Sequence, residues 1–117
     1  MPSNKFLGTI SQNELSRDSA SRIAQFRLMH APVNQYLKRI GKVDSAQCPA
    51  CGAEEETIEH LLLRCPSYEH ERWALARQAR KQRKYMTMET LLGTPEMVIH
   101  LANYIDATNR FKYAGKA

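Results

Sequence analysis

All three cysteines of this 117-residue chain fall in one stretch, CPACGAEEETIEHLLLRC at residues 48–65, with a histidine between the second and third. Three thiols cannot all pair, which argues against a disulfide framework. The N-terminal segment MPSNKFLGTISQNELSRDS offers only FLG as an apolar island, too short for a secretory signal. A reducing intracellular compartment, cytoplasmic or nuclear, is therefore expected, where clustered thiols bind metal or are buried. No run of eighteen apolar residues exists to span a bilayer.

Cys48-x2-Cys51 puts two sulfurs on one tight turn, favoured by Pro49 and Gly52. Two more ligands complete a tetrahedron, and His60 and Cys65 can supply them from the two ends of a short helix. The spacing Cys-x2-Cys-x8-His-x4-Cys suits zinc, which takes four ligands of this soft and borderline kind. His70, five residues after Cys65, is the alternative fourth ligand. His60 is favoured because the apolar HLLL run would fix its ring, whereas His70 sits in the polar run YEHER. A thioredoxin-like redox role for CxxC requires a preceding strand and an α/β sheet, and neither is visible. His30 and His100 have no clustered partners and read as helix-face residues.

The rest of the chain reads as helices joined by short turns, a mainly α domain stapled by one zinc site. Hydrophobic residues make up 43% and charged residues 25%, as in a folded globular domain. Ser11 and Glu14 fit a capping box, and Leu15, Ile23, Phe26 and His30 follow at helical spacing. Val33, Tyr36, Leu37 and Ile40 form one apolar face, closed by Gly41. Thr57 caps a helix carrying Ile58 to Leu63, and Ser67 a longer one from Tyr68 to about Lys84. In the latter, Tyr68, Arg72, Leu75 and Ala79 make a stripe that Trp73 and Ala76 widen. A short turn covers Thr87–Leu92, and Thr94-Pro95-Glu96 opens a last helix with Val98, Leu101, Ala102 and Ile105 inward. The expected organisation is an arm at 1–14, one domain at 15–111 and a frayed tail at 112–117.

Charge is segregated. Residues 1–42 carry seven bases and two acids, residues 43–71 one base and seven acids, and residues 72–117 nine bases and three acids. The run RWALARQARKQRK at 72–84 holds six bases and no acid. Arg77, Arg80, Lys81 and Lys84 can share a helix face, with Arg83 beside them, and Lys38, Arg39 and Lys42 form a second cluster. Such patches attract phosphates and release counterions. Trp73 and Tyr85 could stack on bases, although helical spacing assigns Trp73 and Tyr36 to the core. RNA or single-stranded DNA is thus the expected partner, running along the basic helices and avoiding the acidic cysteine turn. A protein partner for a zinc-stapled interaction module is the alternative. The adjacent Glu54, Glu55 and Glu56 read as a solvated acid run. With no open metal position, phosphate loop or nucleophile–base pair in view, no catalysis is expected.

The stretch CPACGAEEETIEHLLLRCPSYEHER resembles the zinc-binding segment at the C-terminal end of non-LTR retrotransposon reverse transcriptases, most closely the fungal type, where it follows an RNase H domain. The likeness extends upstream through RIAQFRLMHAPVNQYLKRIGKVDSAQC and downstream to LLGTPEMVIHLANYIDATNRF, covering roughly residues 15–111. It implies metal ligands at Cys48, Cys51, His60 and Cys65, and a nucleic-acid context. The polymerase and nuclease domains of that family have no counterpart in this sequence. The expectation is a free-standing or excised C-terminal module, or a domesticated remnant, without their activities.

Overall fold

The computed structural model describes residues 15–111, so the Ser11–Glu14 box, the N-terminal arm and the tail from 112 lie outside the described residues. Helix α1 (Arg17–Arg27) is opened by Ser16, whose hydroxyl accepts from the Ser19 amide at 3.0 Å. Helix α2 (Asn34–Arg39) follows, then a non-helical segment through the first two cysteines. Residues His60–Arg64 form a π turn and Pro66–Tyr68 a 3-10 turn. Helices α3 (Glu69–Lys81), α4 (Met88–Gly93) and α5 (Pro95–Thr108) complete the described chain. Among the described residues there is no β-strand, only an isolated antiparallel bridge between Gln47 and Glu55. The protein is mainly helical, as its periodicity indicates. No helix among the described residues is long and apolar enough to cross a membrane.

The core gathers on α5, which packs against α3, α4 and α1. Six of its residues are buried, Met97, Val98, Leu101, Ala102, Tyr104 and Ile105. Met97 and Tyr104 were not on the expected inner face; they are covered because α5 is flanked on more than one side. Ile23 and Phe26 of α1, Ile58, Leu61 and Leu62 before and in the π turn, Leu75 and Ala79 of α3, and Leu91 of α4 fill the same core. Phe111 closes it, edge-on to Phe26 with ring centroids 5.8 Å apart.

Three helices end alike. In α1, α2 and α3 the residue three past the helix donates to a carbonyl five back, His30 to Gln25, Lys42 to Leu37 and Lys84 to Ala79. This termination needs a left-handed residue before the donor. Gly41 serves α2 at φ 80°, but Met29 (φ 61°) and Arg83 (φ 58°) serve the others despite their Cβ atoms. Helix α3 therefore stops at Lys81 instead of running to Lys84. Its start also differs from expectation: the 3-10 turn precedes it, and Tyr68, not Ser67, holds the cap position, without a side-chain bond. The apolar face expected for α2 is only partly covered. Val33 is buried and Tyr36 and Leu37 half-buried, but Ile40 is exposed, since α2 makes no extensive packing with another helix.

Candidate metal centre and basic surface

The loop that carries the first two cysteines is shaped by its own backbone. The Cys48 amide donates to the Glu54 carbonyl at 2.8 Å, and the Gly52 amide donates to the Cys48 carbonyl at 2.9 Å. Gly52 adopts φ 68°, the left-handed conformation that the tight return requires. The Gln47 side-chain amide donates to the Gly52 carbonyl across the same loop. The loop thereby turns both sulfurs toward the segment that follows.

That segment starts where Thr57 caps it, its hydroxyl accepting from the His60 amide at 2.9 Å. In a regular helix, residues five apart point about 140° away from each other at ~100° per residue. Here the Cys65 amide donates to the His60 carbonyl, five residues back, at 2.8 Å. The widened π turn brings His60 and Cys65 toward one side. Pro66, which has no amide hydrogen, then restarts the chain as a 3-10 turn.

The four ligand atoms of Cys48, Cys51, His60 and Cys65 lie within 4.8 Å of one another. The Cys48 and Cys65 sulfurs are 3.8 Å apart, and the Cys51 sulfur is 3.5 Å from His60 Nε2. A tetrahedron with metal–sulfur bonds of ~2.3 Å and metal–nitrogen bonds of ~2.05 Å has edges of about 3.8 Å and 3.5 Å. Those two edges match, and the longest separation must close by no more than ~1 Å. Cys48, His60 and Cys65 are buried and Cys51 half-buried. The residues thus fit a four-coordinate metal ion. His70 is exposed on α3 and is not part of the cluster.

The thiols are unequal. Cys51 is held down at about 7, first by the Ala53 amide pointing at its sulfur and then by His60 and further amides. Burial pushes Cys65 up to about 11. Behind His60, Glu54 Oε1 stands 3.3 Å from Nδ1, though not aligned as a hydrogen bond, and is itself held by Arg64 at 3.2 Å. Metal-bound histidines commonly orient their second nitrogen on such a carboxylate.

The acid run does not behave as one solvated unit. Glu54 and Glu55 are exposed, but Glu56 is fully buried. Its carboxylate accepts from Arg110 Nε at 2.5 Å, Arg110 Nη2 at 2.6 Å and the Asn34 amide at 2.7 Å. Arg110 lies 54 residues away, so adjacency in sequence gave no sign of this pair.

A second unforeseen group supports the π turn. Tyr104 donates its hydroxyl to the Leu61 carbonyl at 2.6 Å. In an α-helix that carbonyl would take the Cys65 amide, which the π turn diverts to His60. Arg72 donates to the Cys65 carbonyl at 2.5 Å and to the Tyr104 hydroxyl oxygen at 3.3 Å. Arg72 therefore faces the metal corner and leaves the basic run of 72–84. Its place on the stripe with Tyr68, Leu75 and Ala79 was legible in the sequence, its partners were not.

No family model, curated protein or solved structure matches this chain.

The remaining bases face outward. Lys38, Arg39, Lys42, Arg77, Arg80, Lys81, Arg83 and Lys84 are all exposed. Lys84 lies past the end of α3, so the helix face itself is Arg77, Arg80 and Lys81. Trp73, expected in the core, is 60% exposed, with the Arg77 guanidinium 5.0 Å from its ring centroid. Burial on α3 centres on Leu75 and Ala79, and Trp73 falls on the far side of the helix. Tyr85 is 85% exposed, while Tyr36 is half-buried, stacked on His30 at 5.3 Å.

Proposed function

We propose that the chain is a zinc-stabilised, non-catalytic module that binds single-stranded nucleic acid, related to the C-terminal segment of non-LTR retrotransposon reverse transcriptases. One observation carries the binding reading: Trp73 is exposed under Arg77 on the same helix face as Arg80 and Lys81. An exposed indole exacts a solvation cost that a purely solubilising face has no reason to bear. Stacked on a cation and followed by two more bases, it makes the aromatic-plus-phosphate surface that single strands use. The metal corner carries Glu54, Glu55 and Glu59 on its surface and repels phosphate, so the strand follows α3 away from it. Zinc is the ion that three thiolates and one imidazole favour in a closed tetrahedron. A closed site supplies structure, not an activated water.

The test is a salt titration with a labelled single-stranded RNA. Each phosphate contact contributes about −0.7 to the slope of log K against log salt. Neutralising Arg77, Arg80, Lys81 and Lys84 to Gln should reduce that slope by about 2.8. Trp73→Ala should lower affinity by about 1–3 kcal/mol. An unchanged slope refutes the α3 interface.

A protein-interaction role is the second reading, favoured by exposed Leu28 (67%), Met29 (56%) and Ile40 (47%) at the ends of α1 and α2. Absence of any nucleic-acid binding at about 50 mM salt would select it, since phosphate contacts are strongest there.

A further inference from the structure

Beside the basic face of α3 lies a groove between α3 and α5 that the reading above does not use. We infer, resting on that reading, that this groove takes one unpaired base of the bound strand and selects adenine and cytosine over uracil.

The cavity measures about 350 Å³. That is near the lower limit of roughly 300–1,000 Å³ for small-molecule sites, room for a flat heterocycle. Buried Leu75 gives it an apolar floor, and Ala74 and Ala107 keep its walls low. Glu71 and Gln78 of α3 and His100 and Asn103 of α5 converge on it. Among the described residues, none of these four side chains hydrogen-bonds another protein group, whereas neighbouring Tyr104 is engaged with Leu61 and Arg72. Four unengaged polar side chains around one concave space are the makings of a recognition site.

The chemistry narrows the ligand. A Gln or Asn amide offers one donor and one acceptor, the complement of the N6 and N7 edge of adenine, and a carboxylate accepts from the amino group of cytosine. Uracil presents a carbonyl oxygen where those bases carry the amino group, and it would meet the Glu71 carboxylate unfavourably. The same carboxylate repels phosphate, so the base enters and the backbone stays outside. Arg77 and Lys81 follow Ala74 by three and seven positions, and so border the groove on its outer side. A phosphate held there leaves its base over the cavity.

The experiment compares short homopolymeric RNA strands on the zinc-loaded full chain by fluorescence anisotropy. Adenine and cytosine strands should bind about tenfold tighter than the uracil strand. Glu71→Leu, Gln78→Leu and Asn103→Leu together should bring their affinities down to the uracil value. Ala74→Leu, at an exposed position, narrows the groove without touching the core and should do the same. Equal affinity of the native chain for all three strands overturns this inference alone, as does a preference that survives both variants. Failure of every strand to bind at low salt overturns the nucleic-acid reading with it.

Discussion

At the scale of single residues, the metal corner depends on groups that never touch the metal. Glu54 Oε1 lies 3.3 Å from His60 Nδ1, close enough to favour a proton on that nitrogen and so to leave Nε2, beside Cys51, as the metal-facing one. Glu54→Gln should weaken metal affinity by about 10–100-fold, measured by competition with a chromophoric chelator. The proton dependence has a definite sign. Metal binds thiolates, so each bound proton must leave, and affinity falls as pH falls. Above about 7, Cys51 is already ionised, while Cys65, at about 11, still gives up its proton. Below about 7, the Cys51 proton must leave as well. Apparent affinity measured across this range should therefore drop more steeply with acid below pH 7 than above it. The candidate ligand set was legible in the sequence because four residues of two scarce types, cysteine and histidine, sit within eighteen positions. Glu54 carried a weaker signal, as a carboxylate six residues before the ligand histidine. Glu56 carried none, because its burial depends on Arg110, far along the chain.

At the scale of elements, the π turn is the feature that periodicity misread as a regular helix. The spacing His-x4-Cys followed by proline contained the cue: residues five apart do not share a helix face unless the turn is widened. The turn frees the Leu61 carbonyl, and Tyr104 takes it. Burial raises the pKa of the Tyr104 hydroxyl, so it remains a donor through the neutral range. Tyr104→Phe should destabilise the protein by about 1–3 kcal/mol in chemical denaturation, because the buried carbonyl loses its partner. Helix ends were legible where glycine marked them, as at Gly41. Met29 and Arg83 hold the same left-handed conformation without that mark, so α3 was drawn too long. Trp73 was misassigned for a related reason. It neighbours the Tyr68–Leu75–Ala79 stripe in sequence and size, but the direction of burial is set by α5, which lies beyond the reach of local pattern.

At the scale of the whole molecule, two long-range fastenings hold a small core. The first is the candidate metal cluster; a structural zinc ion in comparable small sites contributes roughly 10–16 kcal/mol, against a total of about 5–15 kcal/mol for a typical domain. Chelation should therefore abolish cooperative thermal unfolding, followed by circular dichroism, and returning zinc should restore it. The second is the ion pair of Glu56 with Arg110, which also gathers Asn34 through its amide and its side-chain oxygen. Glu56→Ala should cost about 3–5 kcal/mol in the same unfolding assay, since it strands a half-buried guanidinium. These two fastenings differ in how much chain they enclose. The metal corner closes within residues 48–65, whereas the ion pair waits for residue 110. During synthesis on the ribosome the ion can seat early, but the carboxylate of Glu56 has no counter-charge until nearly the last residue of the core has emerged. The nascent protein can thus tie its first knot long before its last.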